Sequence, residues 1–283
     1  MATENETDAE ELSGRTGLIR QAGRKLTDRF RTNLAASRAF LKSRRANGDA
    51  DTPVHGYRYF FLTVMVVFLV AVVLDNPVGA YRNQWPTDVL KWAHRLTDIG
   101  KSGWILVPTG VFVLACYFLD WRGLQARTRL TLAKWVAASG YVFIAVGMSG
   151  LIVAIAKRLI GRARPVHFEE LGAFYFQPFS NASFASFPSG HSTTSGAFFA
   201  AIAIFFPALR FPALVLAIWL GFTRVLVGAH YPSDVLAGLA FGAWYAYFTA
   251  LFFAGYGFIF KIDKNGLPVR RKGYELQKFL LQR

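Results

Sequence analysis

Between Arg58 and Asp75 the chain reads YFFLTVMVVFLVAVVL, with no charged residue. Wound as an α-helix, that run is about 24 Å long. A bilayer core is about 30 Å thick and is crossed by roughly 17–25 mostly apolar residues. Five more segments have this character: 103–119, about 133–156, 191–206, about 212–228 and about 235–260. The expected fold is therefore all-α and polytopic, with six transmembrane helices. Gly and Pro inside the runs are tolerated in membrane helices. Composition agrees: 53% of residues are apolar and only 17% charged, against about 25% charged in a soluble domain. The 283 residues suit one membrane domain over 51–260. It is flanked by a basic tail at 1–50 and a basic C-terminal tail at 261–283.

The balance of 32 Lys+Arg over 17 Asp+Glu gives a net charge of +15. The basic residues flank apolar runs, which fits anionic lipid headgroups and speaks against a nucleic-acid partner. Residues 1–14 are acidic and polar, unlike a signal peptide, and are expected to be disordered. From Gly14 to Arg45 the chain is basic. Ile19, Ala22, Leu26, Phe30, Leu34 and Leu41 recur at helical spacing, as in a helix lying on an anionic membrane face; a solvated basic tail is the other reading. Cys116 is the only cysteine, so neither an internal disulfide nor a cysteine metal cluster is available. No obligate protein partner is evident.

Short loops set the orientation. The N-terminal tail, Arg122 to Arg129, Arg210 and the C-terminal Lys261 to Lys272 fall on one side of a six-span chain, the cytoplasmic side by the positive-inside rule. Segment 75–102 faces the other way, and Val89, Trp92 and Leu96 there predict a short interfacial helix. The 157–164 stretch also faces outward, yet holds Lys157, Arg158, Arg162 and Arg164. Helix-end snorkelling accounts for one or two such charges and less well for four. Cations that oppose the topology bias are better explained by an anion they bind.

His191 opens the fourth span and His230 follows the fifth. One helix out and one back return the chain to its starting face, so both histidines share the outward end with the 157–164 cations. Asp234 opens the sixth span, one turn after His230. Two histidines, an aspartate and several cations at one interface point to chemistry. No HExxH motif or other metal set is present. Arginines this close suit a phosphate, and PSGHS at 188–192 opens a helix whose N-terminus favours an anion.

These residues also carry a family pattern. The sequence resembles the type 2 phosphatidic acid phosphatase (PAP2) superfamily, which includes membrane lipid phosphatases and soluble vanadium haloperoxidases. Three stretches carry the likeness: KRLIGRARP with Lys157, Arg164 and Pro165; PSGH with Pro188, Ser189, Gly190 and His191; and TRVLVGAHYPSD with Arg224, His230 and Asp234. The one departure is Thr223 where the family has serine, which keeps a hydroxyl. The resemblance covers 157–234 by motif and about 59–260 by layout.

It implies a helical bundle of that family and metal-independent hydrolysis of a lipid phosphomonoester or pyrophosphate without a cofactor. His230 is implied as the nucleophile that forms a phosphohistidine, Asp234 as its orienting acid and His191 as the general acid–base. Lys157, Arg164, Arg224, Ser189 and Gly190 are implied to bind the phosphate. Phosphatidic acid, phosphatidylglycerol phosphate, undecaprenyl pyrophosphate and a lipid A phosphate all fit. Two other readings stay open: phosphotransfer at the same site, and a non-enzymatic transporter or anionic-lipid-binding protein. The expected setting is a bacterial inner membrane, with the site facing the periplasm and both termini cytoplasmic. Arg158 and Arg162, outside the motif, are read as lipid-facing charges. His167 is read as a loop residue, and His55 and His94 as structural.

Overall fold

The computed structural model describes residues 2–45, 56–82, 84–257, 259–264 and 266–272. Helices dominate. They are α1 (Ala2–Arg45), α2 (Gly56–Val70), α3 (Asn76–Tyr81), α4 (Thr87–Thr97), α5 (Gly103–Phe118), α6 (Ala126–Ile160), α7 (Phe168–Leu171), α8 (Gly190–Phe205), α9 (Arg210–Leu226) and α10 (Pro232–Gly255). A π-helical turn, Ala71–Asp75, joins α2 to α3 without a break. Strands β1 (Phe260–Ile262) and β2 (Pro268–Arg270) form a small antiparallel hairpin where the sequence reading had the sixth span's end and a basic tail. His55 lies outside the described residues.

Among the described residues, five helical runs are long and apolar enough to cross a membrane: Arg58–Tyr81, Thr87–Phe118, Ala126–Ile160, Pro207–Leu226 and Pro232–Gly255. The remaining predicted span, α8, has 16 residues and would be about 24 Å long. It lies at the centre, packed by α6, α9 and α10. Ser192 through Ala197 are all buried, so its small polar residues meet other helices and need no apolar run facing lipid. By contrast Phe61, Met65, Phe68 and Val72 stand in a helical stripe on the outside of α2 and the π turn and are exposed, as a lipid-facing side requires.

Backbone-to-backbone contact joins α8 to α10. A Cβ on Gly242 would lie 2.1 Å from the Thr193 carbonyl oxygen, and one on Gly196 would lie 2.2 Å from that of Leu239. Membrane helices associate closely at such small residues. At one end, Tyr141 donates its hydroxyl to the Ala246 carbonyl (3.0 Å). Its ring meets Phe205, Phe253 and Phe260 at 4.9–5.7 Å between centroids.

The elements carrying most basic residues gather at that same end. α1 is helical from Ala2, including the acidic stretch expected to be disordered; Ala and Glu are strong helix formers. It docks on the end of α5 through Asn33, whose amide donates to the Tyr117 and Leu119 carbonyls (2.8 and 2.9 Å). Phe30 packs on Tyr117 and Phe118, and Arg29 pairs with Asp120 (3.4 Å). Arg270 from the hairpin lies over Phe206 at the end of α8. The opposite end is free for the polar loops.

The expected interfacial helix is α4. It turns Ala93 and Thr97 inward and leaves Val89 and Trp92 of the predicted apolar stripe exposed, with Leu96 half-buried.

Candidate active site

The last turn of α6 carries Lys157 half-buried and Arg158 exposed. Gly161 stops the helix in the left-handed region (φ 66°), which glycine adopts without a Cβ clash. A Cβ there would also strike the Gln177 backbone at 2.3 Å. Beyond it the chain is extended and pinned by the returning loop. Ala163 N–H donates to the Tyr175 carbonyl and Arg164 N–H to that of Ser183, each at 2.9 Å, and Ser186 N–H donates to that of Arg162 at 3.0 Å.

Three further elements close the site. Ser189 caps α8, its hydroxyl accepting from Ser192 N–H (3.4 Å) and the Ser192 hydroxyl (2.9 Å). Its own N–H donates to the Asp234 carbonyl (3.0 Å), which ties the start of α8 to the start of α10. Gly190 and His191 then occupy the first turn, where N–H groups have no intrahelical partner. Arg224 stands on the last turn of α9, and His230 N–H reaches back to its carbonyl (3.3 Å).

Asp234 is fully buried at the start of α10. Its Oδ2 accepts from Tyr231 N–H (3.0 Å) and the Ser186 hydroxyl (2.5 Å), so it caps the helix. The same oxygen lies 3.5 Å from Nδ1 of buried His230. That separation is long for a hydrogen bond, and Nδ1 has no hydrogen-bond partner elsewhere among the described residues. Burial pushes His230 below the ordinary histidine range; Asp234 opposes this, and Arg164 and Arg224 add to it. The imidazole is therefore neutral near pH 7, the form that has a free lone pair.

The cations come together as the sequence predicts. Lys157 faces the charge of Arg164, Arg164 that of Arg224, and His191 those of Arg224 and His230. Arg224 donates to the Thr97 hydroxyl (2.7 Å). The Nε groups of Arg164 and Arg224 are buried without a partner. Among the described residues, none of Lys157, Arg164 and Arg224 is in an ion pair. All three are half-buried; a cation partly withdrawn from water without a counter-ion is costly, and a group of them is a site for an anion. Gly100 closes the floor, since a Cβ there would stand 3.2 Å from the His191 side chain.

Arg162 corrects the sequence reading. It does not face lipid and is only 2% exposed. Nη1 donates to Asp234 Oδ1 (2.6 Å) and the Ser233 hydroxyl (2.8 Å), and Nη2 to Asp75 Oδ2 (2.7 Å). Nε and Nη2 both donate to the Ala173 carbonyl (3.0 and 2.8 Å), and the guanidinium lies over the Tyr231 ring. Asp75, Ser186, Ser233 and Thr97 also escaped sequence reasoning. Asp75 had one signal, a carboxylate closing an uncharged run; the other three had none. His167 is in the loop as expected, 2.9 Å from the Ser183 hydroxyl, and His94 is exposed.

Comparison with known proteins bears on the same residues. The model of the PAP2 superfamily matches residues 135–257. A lipid A 1-phosphatase of Rhizobium johnstonii is 43% identical over 233 residues, covering 81% of this chain and 93% of the relative. One of Rhizobium etli is 43% identical over 78% and 94%. Phosphatidylglycerophosphatase B of Bacillus subtilis is 26% identical over 75% and 97%. A crystal structure of the Bacillus subtilis PAP2-type phosphatidylglycerolphosphate phosphatase aligns with a TM-score of 0.46 at 21% identity, over 68% of this chain and 94% of that one. With such identity over nearly the whole length of its Rhizobium relatives, the chain belongs to the PAP2 superfamily and is a multi-pass membrane lipid phosphatase.

Proposed function

We propose that the chain removes the phosphate from a lipid phosphate by way of a phosphohistidine. The observation that carries this is a buried His230 beside Asp234, at the same end as three cations, Lys157, Arg164 and Arg224, that are in no ion pair among the described residues. His230 Nε2 attacks phosphorus, forming the N–P bond as the P–O bond to the lipid breaks. His191 gives its proton to the departing oxygen, then takes one from the water that cleaves the N–P bond. The three cations neutralise the equatorial oxygens as charge spreads in the transition state. The free N–H groups of Gly190 and His191 at the α8 N-terminus add to them. Asp234 holds the histidine's tautomer, and Ser189 holds the loop. Cationic side chains supply the neutralisation a metal otherwise provides. Among the described residues no three His, Cys, Asp or Glu gather as a ligand set.

Among lipid phosphates, the 1-phosphate of lipid A is the first substrate to test, since the two relatives at 43% identity bear that activity in their names. The experiment measures phosphate release in detergent from lipid A, phosphatidic acid, phosphatidylglycerol phosphate and undecaprenyl pyrophosphate, with and without EDTA and with no acceptor alcohol. Release from lipid A unaffected by EDTA is expected. Loss of activity in EDTA would contradict the mechanism, and release that requires an added acceptor would make the chain a phosphotransferase.

The neutral His230 sets the pH dependence. As pH falls the histidine is protonated and stops attacking, and its lowered value places this step below the ordinary histidine value of about 6.5. The acid limb of kcat/KM is expected there; a midpoint at or above that value would contradict the assignment of His230.

We further propose that α8 completes six spans, with the catalytic end periplasmic and the end carrying α1 and the hairpin cytoplasmic. The outward-pointing Leu18, Ile19 and Leu26 of α1, among basic residues, suit an anionic headgroup layer. A cysteine at exposed Phe179, in the loop of the catalytic end, is expected to react with a membrane-impermeant maleimide in spheroplasts. One at Arg127, at the far end of α6, is not, and the opposite pattern would invert the topology.

A further inference from the structure

Asp75 belongs to none of the three motif stretches, yet it is fully buried inside a membrane-spanning helix. Carboxylates there are costly and are retained for function. The π turn Ala71–Asp75 that ends on it is a rare local geometry, frequent at functional sites. Its Oδ1 accepts from Ser233 N–H (3.0 Å), and its Oδ2 accepts from the Ser233 hydroxyl and, at 2.7 Å, from Arg162.

Arg162 has five N–H donors, and its five hydrogen bonds engage Asp75, Asp234, Ser233 and Ala173. Nothing is left over for a phosphate, so this arginine does not belong with Arg164 and Arg224. Counted with both carboxylates ionised, the buried group Asp75–Arg162–Asp234 has two negative charges and one positive, a surplus of one negative charge. With Arg162 and Asp234 alone the charges would cancel. The Asp234 oxygen that Arg162 does not touch, Oδ2, is the one nearest His230. A histidine phosphorylated on Nε2 with a proton on Nδ1 carries a positive ring, which needs a negative partner at that oxygen.

We propose that Asp75 is a positioning residue that neutralises Arg162, so that Asp234 keeps its charge for His230. The inference rests on the phosphohistidine reading given above. The other charged or titratable groups facing His230 are Arg224 of α9, Arg164 after α6 and His191 of α8, with Asp98 and Lys101 beyond His191. The test leaves all of them in place.

In Asp75→Asn the cluster is neutral, and Arg162 draws on Asp234 alone. The expected result is a kcat lower by about 10- to 100-fold, the scale for groups one step removed from the reacting atoms. KM is expected to stay within about twofold, since no phosphate contact changes. The acid limb of kcat/KM is expected to move down by about one pH unit, because His230 faces less negative charge. The double variant Asp75→Asn with Arg162→Gln restores the surplus of one negative charge, and its limb is expected back at the wild-type position.

A purely architectural role would lower the yield of folded protein and leave the limb where it was. An unmoved limb in folded Asp75→Asn, or a double variant whose limb stays displaced, overturns the inference. If Asp75→Asn does not fold, wild type is compared with the double variant, and a limb that differs between those two overturns it. His230→Ala is run alongside. If it is inactive while the limbs disobey, only the role of Asp75 fails; if it is as active as wild type, the phosphohistidine reading fails too.

Discussion

Replacing His230 with alanine is expected to reduce phosphate release by about 10⁴-fold or more, the scale on which removal of a nucleophile or its base lowers turnover. That factor corresponds to about 5–6 kcal/mol of transition-state stabilisation. The loss is expected in kcat, with KM nearly unchanged, because Lys157, Arg164 and Arg224 still hold the phosphate. His191→Ala separates the two chemical steps. With an aryl phosphate, whose leaving group needs no protonation, the first step proceeds. The second lacks its base, so the enzyme is expected to accumulate one phosphoryl group, seen in the intact mass. Peptide mapping that placed this group on any residue other than His230 would refute the mechanism.

The second large effect is on folding. Arg162→Leu leaves Asp75 and Asp234 buried with no cation between them, and strips the Ala173 carbonyl of both its donors from Arg162. Removing one partner from a buried pair costs about 3–5 kcal/mol, and here one deletion strands two carboxylates. Whole domains are stable by only about 5–15 kcal/mol. The variant is therefore expected to give little monodisperse protein and a sharply lowered Tm in detergent. Arg158→Leu, four residues earlier and exposed, is expected to stay within about 0.5 kcal/mol of wild type. Equal Tm values for the two variants would mean that Arg162 is not buried as described.

The contrast between these two arginines shows how far the sequence could be read. Hydropathy and spacing were enough to bring Lys157, Arg164, His191, Arg224, His230 and Asp234 to one end of the bundle, because helices that cross and recross place their ends by length alone. Arg158 and Arg162 look alike by those criteria, both basic and both near the end of α6. What divides them is Gly161, which turns the chain so that Arg162 points into the bundle toward Asp75 in the π turn after α2. No local pattern announces a partner so far away in the chain. Ser186 and Thr97 were hidden for the same reason, since a hydroxyl in a loop or amphipathic helix says nothing about what it will face. The sixth expected span, α8, stands apart for another reason. Apolar runs identify helices that meet lipid, and α8 meets mostly protein.

The glycine contacts between α8 and α10 have a mechanical consequence. With backbone against backbone and no side chain to act as a spring, the two helices that carry His191 and Asp234 form a single stiff beam. The outer member is α2, whose exposed apolar stripe leads into the π turn carrying Asp75, the carboxylate bonded to Arg162 and Ser233. Changes in membrane thickness load outer helices by tilt. Strain from the bilayer would therefore reach the catalytic histidine through Asp75, while the His191-to-Asp234 geometry stays fixed.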